Sequence, residues 1–376
     1  MHIAPFAVEQ WMNAHETRCA LNLAETCIES LTLGELLDLA GVRDALLADL
    51  RPIKLTYGEI EGSERLRTAI AALYARQSWR DVLITHGASG ANALVYQALV
   101  GAGDRVVTVV PTYQQHEAIP ESLGADVQRL RLRADDGYRL DLDALRALVT
   151  PGTRLIALTN PNNPTGALLD AEALTTIVAM ADAVGAYVLC DEVYRDATHD
   201  DEAPVPSIAD LYARGISTGS MSKAYSLAGV RLGWICGPPA VLRAAEVHRD
   251  YNTISVGRID DLLAAIALES RDAILARNRH IVRTNLAVLE AWVAAEPLIS
   301  WVKPRAGTIA LLAYDLDMSS EAFCLRLLEE TGVLFTPGSA FGVEGTVRIG
   351  YANNPTVLAD GLREVSGFLR RLEPPA

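Results

Sequence analysis

Ser217–Trp234 reads STGSMSKAYSLAGVRLGW, and its lysine is one of only three in the chain. The others are Lys54 and Lys303, while arginine is plentiful. Lys223 sits among small hydroxylated residues in an otherwise apolar, glycine-punctuated segment. A solvated lysine has no need of such neighbours; a lysine held for its amine does. Free lysine, with a pKa of about 10.4, is nearly all ammonium at neutral pH, so a reactive amine needs burial or nearby positive charge to lower that value. Arg231, further along the same stretch, is a candidate for that charge and for a bidentate phosphate clamp. Ser220 and Ser222 offer hydroxyls to the same phosphate. Taken alone, Lys223 also has plainer readings, as a buried lysine paired with a carboxylate or as a surface one.

The flanking sequence supplies a framework for this segment. RVVTVVPTY (Arg105–Tyr113), RLIALTN (Arg154–Asn160) and AYVLCDEVY (Ala186–Tyr194) are short apolar, β-branched runs that end in turn signals. Between them, DLDALRALVT and AEALTTIVAMADAVG carry helical periodicity. Apolar strands alternating with amphipathic helices predict a parallel α/β sheet, and ligands gather at the carboxyl ends of such strands. Tyr113, Asn163 and Asp191 lie at or just past those ends. After Tyr251 the pattern changes to a long helical region, then TIALLAYDL, VLFTPGSAFG, TVRIGYA and a closing amphipathic helix. This predicts a smaller α+β domain.

Composition narrows the function. The chain has 376 residues, room for about two domains. Half of them are hydrophobic and 21% charged, a globular rather than a disordered balance. A net charge of −14, with no basic block, argues against a nucleic-acid partner. No secretory signal is apparent at the N-terminus, and no apolar run approaches the ~18 residues of a membrane span. Cys19, Cys27, Cys190, Cys236 and Cys324 are scattered, with no CxxC pair. They fit reduced thiols in the cytoplasm better than disulfides or a metal site.

Further motifs occur in a fixed order around the lysine. They are YGEIEGSERLR (Tyr57–Arg67), THGASGANAL (Thr85–Leu94), NPNNPTG (Asn160–Gly166), DEVY (Asp191–Tyr194) and RIGYA (Arg348–Ala352). With the Lys223 segment, this set resembles the class I/II aminotransferase family of fold-type-I pyridoxal-phosphate enzymes over most of the chain. The resemblance implies a large domain with a mostly parallel seven-stranded sheet between helices, plus a smaller α+β domain. It divides the chain into an N-terminal segment (1–41) packing with the small domain, a large cofactor-binding domain (42–270) and a small C-terminal domain (271–376).

The same resemblance implies roles at single positions. Lys223 would carry pyridoxal 5′-phosphate as a Schiff base and later act as general base at the substrate α-carbon. Ala88 and Ser89, at a probable helix start, would hold the phosphate with Ser220, Ser222 and Arg231. Asp191 would pair with the ring nitrogen and keep it protonated, although DEVY could also simply start a helix. Tyr194 and Asn163 would reach the ring 3-oxygen; Asn163 has a turn-residue reading as well. Tyr113 would stack on the ring, or serve as a core tyrosine. Tyr57 would reach the phosphate of a neighbouring subunit in a homodimer. Arg348 would bind the substrate α-carboxylate, with Asn163 beside it. His86 reads as a packed, hydrogen-bonded histidine. The implied reaction converts an L-amino acid and a 2-oxo acid by a ping-pong mechanism.

One stretch departs from the pattern. Many members carry L-x-x-G-x-P near the N-terminus, where Leu21–Leu37 here reads LNLAETCIESLTLGELL. This stretch is more similar to the capreomycidine-synthase branch, which implies elimination and ring closure on an arginine-like substrate as an alternative reaction. On this reading Glu25 faces a polar or cationic substrate group; otherwise it is a solvated or helix-start glutamate.

Overall fold

Strand β1 (Leu21–Asn22) opens the first of three sheets in a computed structural model that describes residues 2–43, 46, 50–199 and 204–372. The central sheet comprises β2 (Val82–Thr85), β3 (Arg105–Val110), β4 (Asp126–Arg131), β5 (Thr153–Thr159), β6 (Tyr187–Asp191), β7 (Gly215–Ser220) and β8 (Gly233–Cys236). Their spatial order is β2-β8-β7-β6-β5-β3-β4. Strands β3 to β7 run parallel to their neighbours within that group, and β8 runs antiparallel to both β2 and β7. This is the expected seven-stranded, mostly parallel α/β sheet.

Its two faces bury separate apolar clusters. On one, the helices Gly87–Leu99 and Pro239–Asp250 place Ala91, Leu94, Val95, Val241 and Leu242 against Leu83, Val106 and Ile216. On the other, Leu145, Leu174 and Ile177 from the helices Leu142–Leu148 and Ala171–Val184 cover Val107, Ile156 and Val188. Strands covered on both faces need apolar residues throughout, which explains why they read as continuous apolar runs. The strand that begins at Tyr187 ends on Asp191, so Glu192–Tyr194 lie in the turn that follows.

Strand β7 departs from that rule. Its sequence GISTGS is small and polar, yet every residue is buried. A Cβ on Gly219 would stand 2.4 Å from the indole of Trp234 on β8. The bulk that fills this region comes from the neighbouring strand, so periodicity alone does not reveal β7.

The second unit is built on β9 (Ile299–Trp301), β10 (Ile309–Tyr314), β11 (Val333–Leu334), β12 (Thr336–Pro337) and β13 (Thr346–Gly350). Four of these form an antiparallel sheet in the order β12-β13-β10-β9. β11 instead pairs in parallel with β1, so the N-terminal segment joins this unit. Trp11 reinforces the join by donating its indole N–H to the Phe335 carbonyl at 2.8 Å. The long helical region is two helices, Arg258–Glu269 and Arg271–Ala295, which meet at Ser270. Among the described residues, no helix is long and apolar enough to cross a membrane.

Candidate active site

The carboxyl ends of β5, β6 and β7, the start of one helix and the N-terminal segment enclose a cavity of about 450 Å³. Lys223, Ala88, Ser89, Tyr113, Asn163, Asp191, Tyr194, Ser220, Ser222, Arg231, Arg348 and Glu25 all line it. Of the positions given a cofactor or substrate role from sequence, Tyr57 lies elsewhere. It is 71% exposed and lines a separate surface hollow with Ile53, Val256 and Arg258.

One corner of the cavity suits an anion. The helix Gly87–Leu99 starts at His86, which makes no side-chain cap, so its first amides keep their donors. His86 is exposed rather than packed, a correction to its sequence reading, because this N-cap position lies at the surface. Gly87 adopts φ +66°, and a Cβ there would come within 3.0 Å of the Arg231 guanidinium. Gly233 lets the helix start abut β8, since its Cβ would stand 2.6 Å from the Ala88 nitrogen. Ser220, the last residue of β7, accepts the Ser222 amide at 3.2 Å. Arg231 itself has φ +49° and donates to the Ala228 carbonyl at 2.9 Å, so a strained turn fixes its position.

A second corner presents a buried carboxylate. Asp191 Oδ2 accepts from the Asn92 side chain at 2.8 Å and lies 3.6 Å from His116 Nε2. Its Oδ1 accepts the Val193 amide at 3.2 Å. No arginine or lysine among the described residues pairs with it, and His116 Nε2 is itself a buried nitrogen without a hydrogen-bond partner. Buried charge without a cation suits a protonated ring nitrogen. The uncapped helix start, the serines with Arg231, and this carboxylate together fit pyridoxal phosphate.

Opposite stands Arg348, on β13 and only 4% exposed. Its guanidinium donates to Asn163 Oδ1, the Ala24 carbonyl and Thr336 Oγ1, each at 3.3 Å, and Nε has no partner. Among the described residues it has no ion-pair partner, and burial pulls its pKa below the usual value. A buried guanidinium held by neutral oxygens and lying 5.0 Å from the centre of the Phe341 ring can take an incoming carboxylate. The nearby Asn163 turn contains two cis bonds, Asn160–Pro161 and Asn163–Pro164. Tyr113 donates its hydroxyl to Glu9 at 2.6 Å, and its ring lies 4.6 Å from that of Phe6.

The lysine amine differs from its sequence reading. Lys223 Nζ donates to Thr26 Oγ1 at 2.6 Å and to Cys27 Sγ at 3.3 Å, with Glu25 Oε1 3.9 Å away. Burial does act to lower its pKa, as expected. Cys27, Tyr194 and Glu25 outweigh it, and the net shift is upward, so the amine is held as ammonium. Sequence spacing gave no sign that a carboxylate from residue 25 reaches this amine.

Glu25 shifts the other way. Its burial raises the carboxyl pKa, but Lys223 and the amides of Cys27 and Thr26 overcome this and lower it from 4.5 to about 2. The folded value is the depressed one. The stabilisation is therefore complete above 4.5 and disappears as pH falls toward 2. Glu25→Gln should flatten that part of an acid-unfolding curve, modestly because the side chain is 40% exposed and screened by water. An unaltered acid limb would refute the pairing.

Sequence reasoning missed Glu9, Thr26, Cys27, Asn92 and His116. Two of these carried a signal. Asn92 lies one helical turn after Ala88, on the same face, and His116 closes the motif PTYQQH.

The sequence profile of the family described as aminotransferase class I and II matches residues 31–364. A capreomycidine synthase from Streptomyces vinaceus is 33% identical over 96% of this chain and 92% of its own length. The crystal structure of a PLP-dependent aminotransferase from Streptococcus suis superposes with a TM-score of 0.97, at 42% identity over the whole of both chains. That of the PLP-dependent cyclase OrfR does so with a TM-score of 0.91, at 31% identity, covering 99% of this chain and 98% of its own.

Proposed function

The chain belongs to the class I and II aminotransferase family of pyridoxal-phosphate enzymes, and from that premise we propose that it transfers the amino group of an L-amino acid to a 2-oxo acid. The observation that carries this reading is Arg348, a buried guanidinium with no carboxylate partner among the described residues, in the same cavity as the Lys223 amine. An α-carboxylate bound there directs the amino acid's α-carbon into the cavity, as amino-group transfer demands.

The roles of the residues follow. Ala88, Ser89, Ser220, Ser222 and Arg231 would hold the cofactor phosphate, Asp191 its ring nitrogen, and Tyr194 and Asn163 its ring oxygen. Tyr113 would cover one ring face, with its hydroxyl tied to Glu9. Bound there, pyridoxal phosphate withdraws electron density from the α-carbon of an amino acid joined to it. Lys223 anchors the cofactor at rest and, once the substrate amine takes its place, carries the α-proton on Nζ. Arg348 and Asn163 keep the carboxylate still while that proton moves.

A specific observation favours a second reading. Glu25, Glu9 and Glu16 line one side of the cavity, an acidic wall suited to a cationic side chain. This supports elimination or ring closure on a substituted, arginine-like amino acid. The two readings part on products. Transfer gives one equivalent of 2-oxo acid per site with loss of the visible cofactor absorbance. Elimination or cyclisation gives ammonia or a cyclic amino acid while the absorbance is kept. Glu25→Gln should lower the kcat/KM preference for L-arginine over L-alanine about tenfold, as expected for one partly screened charge pair. An unchanged preference would remove Glu25 from substrate selection.

We further propose a homodimer in which Tyr57 serves the partner's site. Tyr57, Leu55, Tyr251 and Ile259 are exposed apolar side chains that pairing would cover. Sedimentation of the purified protein tests this; a monomer at working concentration would refute it. The five free cysteines favour a reducing compartment such as the cytoplasm.

A further inference from the structure

The contact between Lys223 and the Glu25–Cys27 turn has no part in the roles above. We propose that the Thr26 hydroxyl is a dock for the Lys223 amine, a positioning residue that fixes where Nζ stands whenever it is not bonded to the cofactor. This rests on the functional reading just given, since only such an enzyme releases and recaptures its lysine in every cycle.

The turn is built to be rigid. Glu25 Oε1 accepts the amides of Thr26 at 2.6 Å and Cys27 at 2.7 Å, and Asn22 Oδ1 accepts those of Ala24 and Glu25. The Thr26 carbonyl accepts from Thr308 Oγ1 at 2.6 Å, which ties the residue to the bend just before β10. Leu23, Ala24, Thr26, Cys27 and Ile28 are all buried.

Contacts to the amine are graded by distance. Thr26 Oγ1 is the short one at 2.6 Å, and Cys27 Sγ is a weaker acceptor at 3.3 Å. Glu25, at 3.9 Å, acts through its charge while both of its amide bonds hold the turn. A lysine side chain has four rotatable carbons and samples many positions when free. Proton transfer needs the donor within hydrogen-bond reach of one atom. A fixed acceptor turns a wandering ammonium into a placed one.

The same loop touches the carboxylate site, because the Ala24 carbonyl accepts from Arg348. Lysine dock and carboxylate clamp are therefore parts of one backbone segment. A substrate seated on Arg348 is set against an amine whose position the same segment fixes.

The test compares holoenzymes of the native chain, Thr26→Val and Thr26→Ser. Each is incubated with L-arginine and L-alanine in heavy water. Deuterium entry at the α-carbon is followed by NMR, and affinity is read from the change in cofactor absorbance. In the cofactor-stripped full chain, acetylation of Lys223 by acetic anhydride is followed by peptide mass.

Thr26→Val should slow deuterium entry about 10- to 100-fold while affinity stays within about twofold. Its Lys223 should be acetylated faster at pH 8, because the ammonium has lost its acceptor. Thr26→Ser should restore both rates, which a packing role for the threonine methyl would not do. Native exchange in Thr26→Val would overturn the dock, as would an affinity loss matching the rate loss. If the native protein shows no visible cofactor band and no exchange, the functional reading itself fails. The dock then stands or falls on the acetylation rates alone.

Discussion

Replacing Lys223 by alanine should lower turnover by about 10⁴-fold, the upper range for loss of a positioned acid–base group. No other lysine among the described residues lines the cavity, so no other amine there can take over its bond to the cofactor. The helix start, Arg231 and Asp191 remain, so the variant should still bind pyridoxal phosphate. Borohydride should then fix no cofactor to the chain, whereas it should fix one equivalent in the native protein. A variant that kept native turnover, or was still labelled at native stoichiometry, would show that the amine lies elsewhere.

The second large effect is expected at a residue that touches no ligand. Gly350 ends β13, and a Cβ there would lie 1.7 Å from the Glu25 carbonyl oxygen and 3.3 Å from the Thr26 Cα. Neither side can yield easily. Gly350 donates its amide to the Leu23 carbonyl at 2.8 Å and is paired with Ile309 in the sheet. Gly350→Ala should therefore cost about 3 kcal/mol, at the upper end for overpacking, and push the Glu25–Cys27 turn off Lys223. Thermal unfolding and turnover should fall together. Native stability in this variant would show that the turn does not pack on the strand as described.

The parts legible in the sequence share a physical cause. Strands β3, β5 and β6 are covered on both faces and must be apolar, so their sequences announce them. Tyr113 and Asp191 read as strand-end residues because Pro111 closes one apolar run and the acidic pair Asp191–Glu192 closes the other. Strand β7 stayed hidden because Trp234 supplies the bulk that its own residues lack. The Thr26–Lys223 and Glu9–Tyr113 contacts join residues far apart in the chain, through folding that no local pattern encodes. The lysine's charge state followed the same rule. Its local neighbours point to a lowered pKa, while Cys27, Tyr194 and Glu25, none of them near it in the sequence, raise it.

Pairing of Leu21 with Val333 sets an order on how the protein is made. Glu9, Glu25 and Thr26, which complete one wall of the cavity, leave the ribosome long before Val333. Their strand partner is synthesised more than three hundred residues later. At about 5–20 residues per second, that is a delay of roughly 15–60 s. The central sheet can fold within that interval, with Lys223 and the phosphate corner already in place. The wall that grips the lysine closes only once Val333 and Leu334 have been made. Between the completion of β8 and the arrival of Val333, the nascent chain therefore has its phosphate corner formed and its lysine wall still open.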